Sequence, residues 1–193
     1  MNGTTKSYTV DKYLHPIRKQ ICDMVPSGTQ ILELGCGNGD LLFQLSPKIK
    51  KGVGLDISGE LIHYARKKAN SQLFSNLRFD VKNVSSDDLG SFKYDYVIIS
   101  LFLHVIPPSE AQFLLHGLHK FADQIIICAF TRPENKWQRF LLWLDQRFTS
   151  HFKNFHDYQN QGYMNGLIKD LNLSSIKIYD TFDPVIKVYQ LIL

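Results

Sequence analysis

The segment Ile31–Leu42, ILELGCGNGDLL, places a short apolar run, three glycines and a helix-like pattern in immediate succession. The apolar run, which contains one acid at Glu33, is typical of a buried parallel strand. Gly35, Gly37 and Gly39 can adopt backbone angles closed to other residues, and they leave no side chain between the backbone and a ligand. Because the free amides and the positive end of the helix face this turn, a nucleoside-bearing cofactor suits it.

The length of 193 residues suits one α/β domain over residues 1–193, and the composition, 44% hydrophobic and 12% aromatic, is sufficient for its core. The net charge is +4, and its tightest basic groups, at 48–51 (KIKK) and 66–68 (RKK), have no interleaved aromatic residues. We interpret them as solvated faces and expect no nucleic-acid partner. Oligomeric state is left open by the sequence.

The three cysteines form no CxxC pair, which argues against a zinc site or a disulfide framework and favours a reducing compartment. The sequence shows neither a secretory signal nor an apolar stretch of membrane-spanning length. We therefore expect a cytoplasmic protein with no membrane span.

Strand-like and helix-like segments alternate along the chain, which predicts a doubly wound, mostly parallel sheet with helices on both faces. Two β-prone runs around Asp183-Pro184 predict an antiparallel hairpin at the end. The predicted helices cover 11–25, a segment from about 39, 59–70, 109–121, 134–149 and 158–171. The other predicted strands are Gln30–Leu34, Lys51–Asp56, Leu77–Val81, Tyr94–Ser100 and Gln124–Phe130.

Polar residues follow several of these strands at the carboxyl edge, where open α/β sheets bind ligands. Glu33 lies just before the glycine turn, where a carboxylate can pair with a cationic ligand group. Asp56 ends the second strand, and its carboxylate can accept from both hydroxyls of a ribose. Asn83-Val84 and Ser100-Leu101 come at the ends of the third and fourth strands.

Asp40 helps to separate two cofactor classes. A dinucleotide-binding fingerprint has its third glycine at this position. A pyrophosphate on the turn would meet both Asp40 and Glu33, which carry the same sign of charge. S-adenosylmethionine has no phosphate and carries a cationic amino group and a sulfonium, so the acidic turn favours it.

The segments ILELGCGNGDLL, GVGLDIS, FDVKNV and YDYVIISLFLHVI occur in this order and at ordinary spacing. In this they resemble the successive motifs of the class I S-adenosylmethionine-dependent methyltransferases, over residues 10–132. The resemblance implies a Rossmann-like seven-stranded sheet with an antiparallel C-terminal strand. It also implies S-adenosylmethionine as cofactor and S-adenosylhomocysteine as product.

The resemblance further implies roles for individual residues. Those expected to border the methionine part of the cofactor are Glu33, Gly35, Cys36 and Gly37. Asp56 would hold the ribose, Ile57 would pack on the adenine, and Asn83 and Val84 would meet its edge, although aspartate is more usual than asparagine there. Ser100 and Leu101 would lie near the transferring methyl. Tyr8 and Tyr13, in an N-terminal helical cap over 1–28, are candidates to cover the cofactor and contact the substrate, with helix packing as the alternative.

Methyl transfer from a sulfonium is an in-line displacement, so the enzyme mainly has to align the reactants, which can supply roughly 7–11 kcal/mol in favourable cases. A base is needed only where the acceptor is protonated. His104 is the candidate base, and a hydrogen-bonded packing histidine is the alternative. In a helical insertion over 134–172, His151, His156 and Tyr158 are candidates to bind substrate, with exposed loop residues as the alternative.

Several motifs are missing, and their absence narrows the acceptor. The fourth strand is not followed by Asn-Pro-Pro-Tyr/Phe, nor by an acidic residue of the kind that metal-dependent catechol methylation uses. We therefore expect a metal-independent enzyme that methylates a small molecule, at O or N above all. The alternatives are an RNA- or protein-directed methyltransferase and a non-catalytic partner subunit.

The predicted helix at 134–149 carries a stripe of large apolar residues. Core packing against the sheet is the expected role, and an apolar acceptor pocket or a lipid-docking surface is the alternative. The stripe consists of Trp137, Phe140, Leu141, Leu144 and Phe148.

Overall fold

The computed structural model describes residues 10–84, 92–171 and 173–193. Within them, one sheet has the strand order β3-β2-β1-β4-β5-β7-β6. Strands β1 to β5 are parallel, and β7 runs antiparallel to both β5 and β6. The strands are β1 (Gln30–Leu34), β2 (Lys51–Asp56), β3 (Leu77–Val81), β4 (Tyr96–Ser100), β5 (Gln124–Phe130), β6 (Ser175–Asp180) and β7 (Ile186–Ile192). The predicted Rossmann-like sheet with an antiparallel C-terminal hairpin is confirmed.

The helices of the described residues fall between and after these strands. They are α1 (Val10–Met24), α2 (Asp40–Leu45), α3 (Gly59–Ser71), α4 (Pro108–Gly117) with a 3₁₀ turn at Leu118–Lys120, α5 (Lys136–Arg147), α6 (Phe152–Asn160) and α7 (Tyr163–Ile168). None of them is long and apolar enough to cross a bilayer.

The central strands are buried along almost their whole length, which explains their continuous apolar sequences. In β4 the residues from Tyr96 to Ile99 are buried, and in β5 all residues after Gln124 are buried. β4 begins two residues later than the sequence predicted, because the Tyr94 amide bonds to the Phe121 carbonyl instead of joining the ladder.

The register brings the carboxyl ends of neighbouring strands to one edge of the sheet. Leu34 at the end of β1 pairs with Leu55 on one side and with Ile99 on the other. Ser100 at the end of β4 pairs with Cys128 in β5. Residues that follow β1, β2 and β4 therefore meet at this edge, as ligand binding in an open α/β sheet requires.

The single helix predicted over 158–171 is wrong, because the chain forms α6 and α7 with a break between them. Gly162 (φ 91°) and Tyr163 (φ 59°) adopt left-handed backbone angles that end α6. A Cβ on Gly166 would lie on top of the Gln161 carbonyl oxygen, so α7 starts in close contact with the end of α6. The apolar periodicity continues across the break and conceals it.

The expected packing of the 134–149 stripe against the sheet is also wrong. Leu142 and Gln146 are the buried residues of α5, and the stripe faces solvent. The exposed fractions are 66% for Trp137, 47% for Phe140, 45% for Leu141, 43% for Leu144 and 81% for Phe148. Periodicity identified the stripe but carried no information about the side of the helix on which the core lies.

Candidate active site

The glycine turn between β1 and α2 is held against the end of β2. The amides of Gly35 and Cys36 both donate to the Leu55 carbonyl, at 2.8 and 3.0 Å. Gly35 has φ 71°, and a Cβ there would lie 2.4 Å from Cγ of Phe102. The residue therefore has to be glycine for two reasons, its backbone angle and the ring of Phe102 that packs directly on it.

Asp56, the last residue of β2, is held by the backbone on two sides. Its Oδ2 accepts a 2.7 Å hydrogen bond from the Gly37 amide, and its Oδ1 accepts a 2.8 Å bond from the Ser58 amide. Each carboxylate oxygen has two acceptor sites, so each keeps one for a ligand hydroxyl. The half-buried carboxylate thus joins the turn to β2 and stays able to accept from a ribose.

A buried cluster of charges joins α1 to the glycine turn. Nη1 of Arg18 donates at 2.7 Å to carboxylate oxygens of both Asp11 and Asp40, and Asn38 donates to Asp11. Burial lowers the pKa of Arg18, but the carboxylates of Asp40, Asp11 and Glu33 outweigh that effect and raise it. Because the Asp40 carboxylate is already paired with Arg18, it would repel a pyrophosphate less than the sequence suggests.

The residues expected around an adenine lie beside the end of β2. Ile57 exposes 66% of its surface, so its side chain is available as a packing face. Asn83 is half-buried, Val84 is buried, and the Lys82 amide donates to the Asp56 carbonyl at 3.0 Å. This bond holds the segment after β3 against the segment after β2.

The end of β4 has a strained backbone. Leu101 has φ 49°, which is uncommon for a residue with a side chain and often marks a functional site. Its amide donates to the Cys128 carbonyl at 2.8 Å, which fixes the turn. Burial raises the pKa of the Cys128 thiol to about 12, although a hydrogen bond with Ser100 opposes the shift. The thiol is therefore neutral and can hold the Ser100 hydroxyl.

His104 is 5% exposed and lies among aromatic rings. The ring centroids of Phe130, His151, Phe155 and Tyr158 are 4.8, 5.4, 5.9 and 6.4 Å away. Burial first, and the charge of His151 second, lower the pKa of His104 to about 3. Its imidazole is therefore neutral and binds a proton weakly, whereas general bases work best with a pKa near the working pH.

Tyr13 lies at the carboxyl edge of the sheet, against the turn between β6 and β7. Tyr13 donates a 2.7 Å hydrogen bond to Oδ2 of Asp183, and its ring meets Phe182 edge-on at 5.2 Å. Burial, the bond to Asp183 and the charges of Asp183 and Asp145 raise the pKa of Tyr13 to about 12. Asp145 also acts on half-buried His151, where it opposes the lowering of the pKa by burial.

Two other predicted substrate residues point elsewhere. Tyr158 is 1% exposed and donates a 2.6 Å hydrogen bond to the Phe130 carbonyl, so its hydroxyl ties α6 to β5. His156 lies on the exposed side of α6, where a ring nitrogen bonds the Asn160 side chain. Tyr8 lies outside the described residues.

The sequence reasoning missed several residues that shape this site. Phe102 and Arg18 are ordinary members of an apolar run and a helix, and nothing in their spacing indicates contact with the glycine turn. Asp183 and Asp145 come from segments far along the chain, and only the fold brings their charges to Tyr13. In the described residues no group of three or more His, Cys, Asp or Glu could hold a metal ion.

A family model described as a methyltransferase domain matches residues 26–173. The chain belongs to this methyltransferase family. The predicted likeness to class I S-adenosylmethionine-dependent methyltransferases is thereby confirmed, and the matched region includes the glycine turn, Asp56 and the end of β4.

Among curated relatives, this methyltransferase is 25% identical over 117 residues to the aklanonic acid methyltransferase DauC of Streptomyces sp. (strain C5), covering 58% of this chain and 51% of DauC. It is 30% identical over 105 residues to the ubiquinone/menaquinone biosynthesis C-methyltransferase UbiE of Rickettsia typhi, covering 48% of this chain and 42% of UbiE. The chain spans about half the length of these relatives.

A solved structure shows the same fold over nearly the whole methyltransferase. Magnesium protoporphyrin IX methyltransferase (ChlM) from Synechocystis PCC 6803, solved with bound S-adenosylhomocysteine, matches with a TM-score of 0.65 and 20% identity. The match covers 94% of this chain and 82% of ChlM. At this identity the match establishes the shared fold.

Proposed function

We propose that this methyltransferase binds S-adenosylmethionine at the carboxyl edge of β1, β2 and β4 and methylates a small-molecule acceptor at O or N, without a metal. The observation that carries the proposal is Asp56, whose two oxygens are fixed by the Gly37 and Ser58 amides and still have acceptor sites for a ribose. Family membership supports the choice of cofactor.

The residues present fit this cofactor along its length. Buried Glu33 provides an acid ahead of the turn for a cationic amino group, and the backbone of Gly35, Cys36 and Gly37 borders the same place. Exposed Ile57 offers an apolar face to an adenine, with Asn83 and Val84 at its edge. When bound, the cofactor supplies an electrophilic methyl group on a sulfonium.

The residues of the chain would then align the acceptor and exclude water. Ser100 and strained Leu101 border the place of transfer. The acceptor would lie at the same edge of the sheet, between these two residues and Tyr13. Because methyl transfer depends on alignment, rigid packing around the acceptor contributes more than a charged catalyst. Neutral His104 would serve as part of this packing. His151, which is half-buried, is better placed to take up a proton.

The two flanking segments have separate proposed tasks. The N-terminal segment 1–28 would cap the cofactor, because Asp11 and Arg18 of α1 bond to Asn38 and Asp40 at the glycine turn. The insertion 134–172 would border the acceptor, because Asn154 of α6 donates to the Val105 carbonyl just beyond β4. We also propose a cytoplasmic location, which the free and buried cysteines support.

Calorimetry tests the cofactor. We expect micromolar binding of S-adenosylhomocysteine, with no binding of NAD, which carries the pyrophosphate. Tight NAD binding would overturn the assignment.

Labelled S-adenosylmethionine tests the acceptor class. The enzyme is incubated with a small-molecule extract, with RNA and with denatured protein from the same cells. Transfer of label into the small-molecule fraction alone is expected. Transfer into RNA or protein would replace the proposed acceptor, and binding without any transfer would favour a non-catalytic partner subunit.

A further inference from the structure

The α5 stripe, formed by Trp137, Phe140, Leu141, Leu144 and Phe148, is an exposed apolar surface. At 100° per residue these positions fall within an arc of about 100° on the helix. Isolated exposed apolar residues are ordinary, but a continuous strip of aromatic and leucine side chains marks an interaction surface.

The stripe is an ordered layer. The rings of Trp137 and Phe140 stack with centroids 5.8 Å apart, and those of Phe140 and Trp143 stack at 6.0 Å. On the other side of the helix, Leu142 and Gln146 are buried and hold α5 to the protein. The helix is therefore anchored by a narrow face and presents its wide apolar face to the outside.

Of the four charged residues of α5, two flank the stripe on one side and one on the other, and Arg139 lies farther round the helix, near Gln146. Lys136 and Arg147 lie on the side of Phe140, and the Arg147 guanidinium lies 4.6 Å from the centre of the Trp143 ring. Asp145 lies on the opposite side, where its charge acts on Tyr13 and His151. The helix thus has a basic edge, an apolar stripe and an edge whose charge reaches two of the predicted substrate residues.

We propose that α5 docks on the surface of an anionic membrane, with the stripe among the acyl chains and the basic edge at the lipid phosphates. A cationic helix with Trp, Phe and Leu on one face is suited to this interface. A second copy packed antiparallel through the stripe fits less well, because that two-fold arrangement brings the two basic edges to one seam. If the proposed function holds, docking also places the acceptor side of the site at the membrane, which suits an apolar acceptor dissolved there.

Tryptophan fluorescence tests the proposal directly, because the chain has two tryptophans and both, Trp137 and Trp143, lie on α5. The probes are vesicles of phosphatidylcholine alone and of phosphatidylcholine with phosphatidylglycerol. We expect a blue shift of the emission and quenching by brominated acyl chains, both stronger with the anionic vesicles. Unchanged emission in the presence of anionic vesicles would overturn the proposal.

Variants then locate the contact. Leu141→Ser with Leu144→Ser should lower partitioning into anionic vesicles roughly a hundredfold, since each leucine contributes at least roughly tenfold when buried. Lys136→Gln with Arg147→Gln should lower partitioning into anionic vesicles roughly thirtyfold and leave binding to neutral vesicles unchanged. Phe113→Ser is the matched control, because Phe113 is 73% exposed but lies on α4, and it should change nothing. Full binding by the double leucine variant would contradict the proposal.

Two further measurements separate the alternatives. S-adenosylhomocysteine affinity should be unchanged in the double leucine variant, which shows that it is folded. Sedimentation velocity measures whether the protein forms a dimer. A dimer that the double leucine variant disrupts, in a protein that does not bind vesicles, would assign the stripe to an interface between copies instead. Vesicle binding needs neither cofactor nor acceptor. The protein could therefore transfer methyl groups without binding vesicles, or bind vesicles without transferring methyl groups, and the two proposals are tested separately.

Discussion

The Gly37 amide donates a 2.7 Å hydrogen bond to Oδ2 of Asp56, across the gap between β1 and β2. The Asp56 carboxylate therefore has a structural partner before any ligand arrives, and its orientation is set by the turn that would border the same ligand. Fixing an acceptor in advance reduces the ordering cost of binding. The glycine turn and the carboxylate thus form one unit.

Replacing this carboxylate tests the unit. Asp56→Asn replaces one acceptor oxygen by an NH₂ group. This group donates hydrogen bonds, so it cannot accept one from the backbone amide of Gly37 or Ser58. We expect S-adenosylhomocysteine affinity to fall roughly a hundredfold, since hydrogen bonds to charged groups contribute about 1.5–3 kcal/mol each. Calorimetry measures the effect.

Asp80→Asn provides the control for Asp56, because Asp80 is a carboxylate on the neighbouring strand β3 that pairs with surface arginines. The affinity of Asp80→Asn for S-adenosylhomocysteine should match that of the parent protein. An equal loss in both variants would mean that the effect comes from altered charge or folding.

The glycine turn can be probed with two alanine substitutions. Gly28 and Gly35 both have positive φ, at 79° and 71°, but a Cβ on Gly28 meets nothing within 4 Å. Gly28→Ala should cost about 1–2 kcal/mol of unfolding free energy, the strain of a left-handed alanine. Gly35→Ala should cost about 1–3 kcal/mol more, because it also displaces Phe102. In a Phe102→Ala background that excess should disappear in urea unfolding; a persistent excess would argue against the contact.

Arg18 should be far more important for stability than a surface arginine. Arg18→Met leaves buried Asp11 without its guanidinium, and breaking such a buried pair costs about 3–5 kcal/mol. Arg78→Met is the matched control, since that arginine pairs with Asp80 while 72% exposed, and such pairs contribute about 0–1 kcal/mol. Denaturant unfolding of both variants makes the comparison, and similar losses would contradict a buried role for Arg18.

The low pKa of His104 predicts a pH dependence of stability. The folded protein binds the proton only near pH 3, whereas the unfolded chain binds it below the ordinary value of 6.5. Stability is therefore fully present above pH 6.5 and is lost as the pH falls, by up to about 1.4 kcal/mol per pH unit. Urea unfolding measured from about pH 4.5 to about pH 7.5 should show that stability depends less steeply on pH in His104→Leu than in the parent protein.

His63→Leu is the control for His104, because His63 is exposed on α3 and solvent reaches its ring in both states. It should keep the pH dependence of the parent protein. If His104→Leu keeps it too, the buried imidazole is not its source.

The glycine turn and the carboxylate beside it were predictable because they depend on local rules. A strand, glycines at fixed spacing and Asp56 at the end of the next strand are close in sequence, and parallel strands bring their carboxyl ends together. The break between α6 and α7 was less accessible, since Gly162 interrupts a periodicity that otherwise continues. Glycine inside a helical pattern was the available signal.

The sequence by itself determined the succession of strands and helices, the glycine turn and the carboxylate at the end of the next strand, because backbone geometry and apolar periodicity decide these locally. Only the tertiary structure decided that His104 is enclosed by aromatic rings and that the stripe of α5 faces outward. Burial is a property of contacts between distant segments. A histidine in FLHVI and an apolar stripe at helical spacing have the same sequence whether solvent or the core lies beside them.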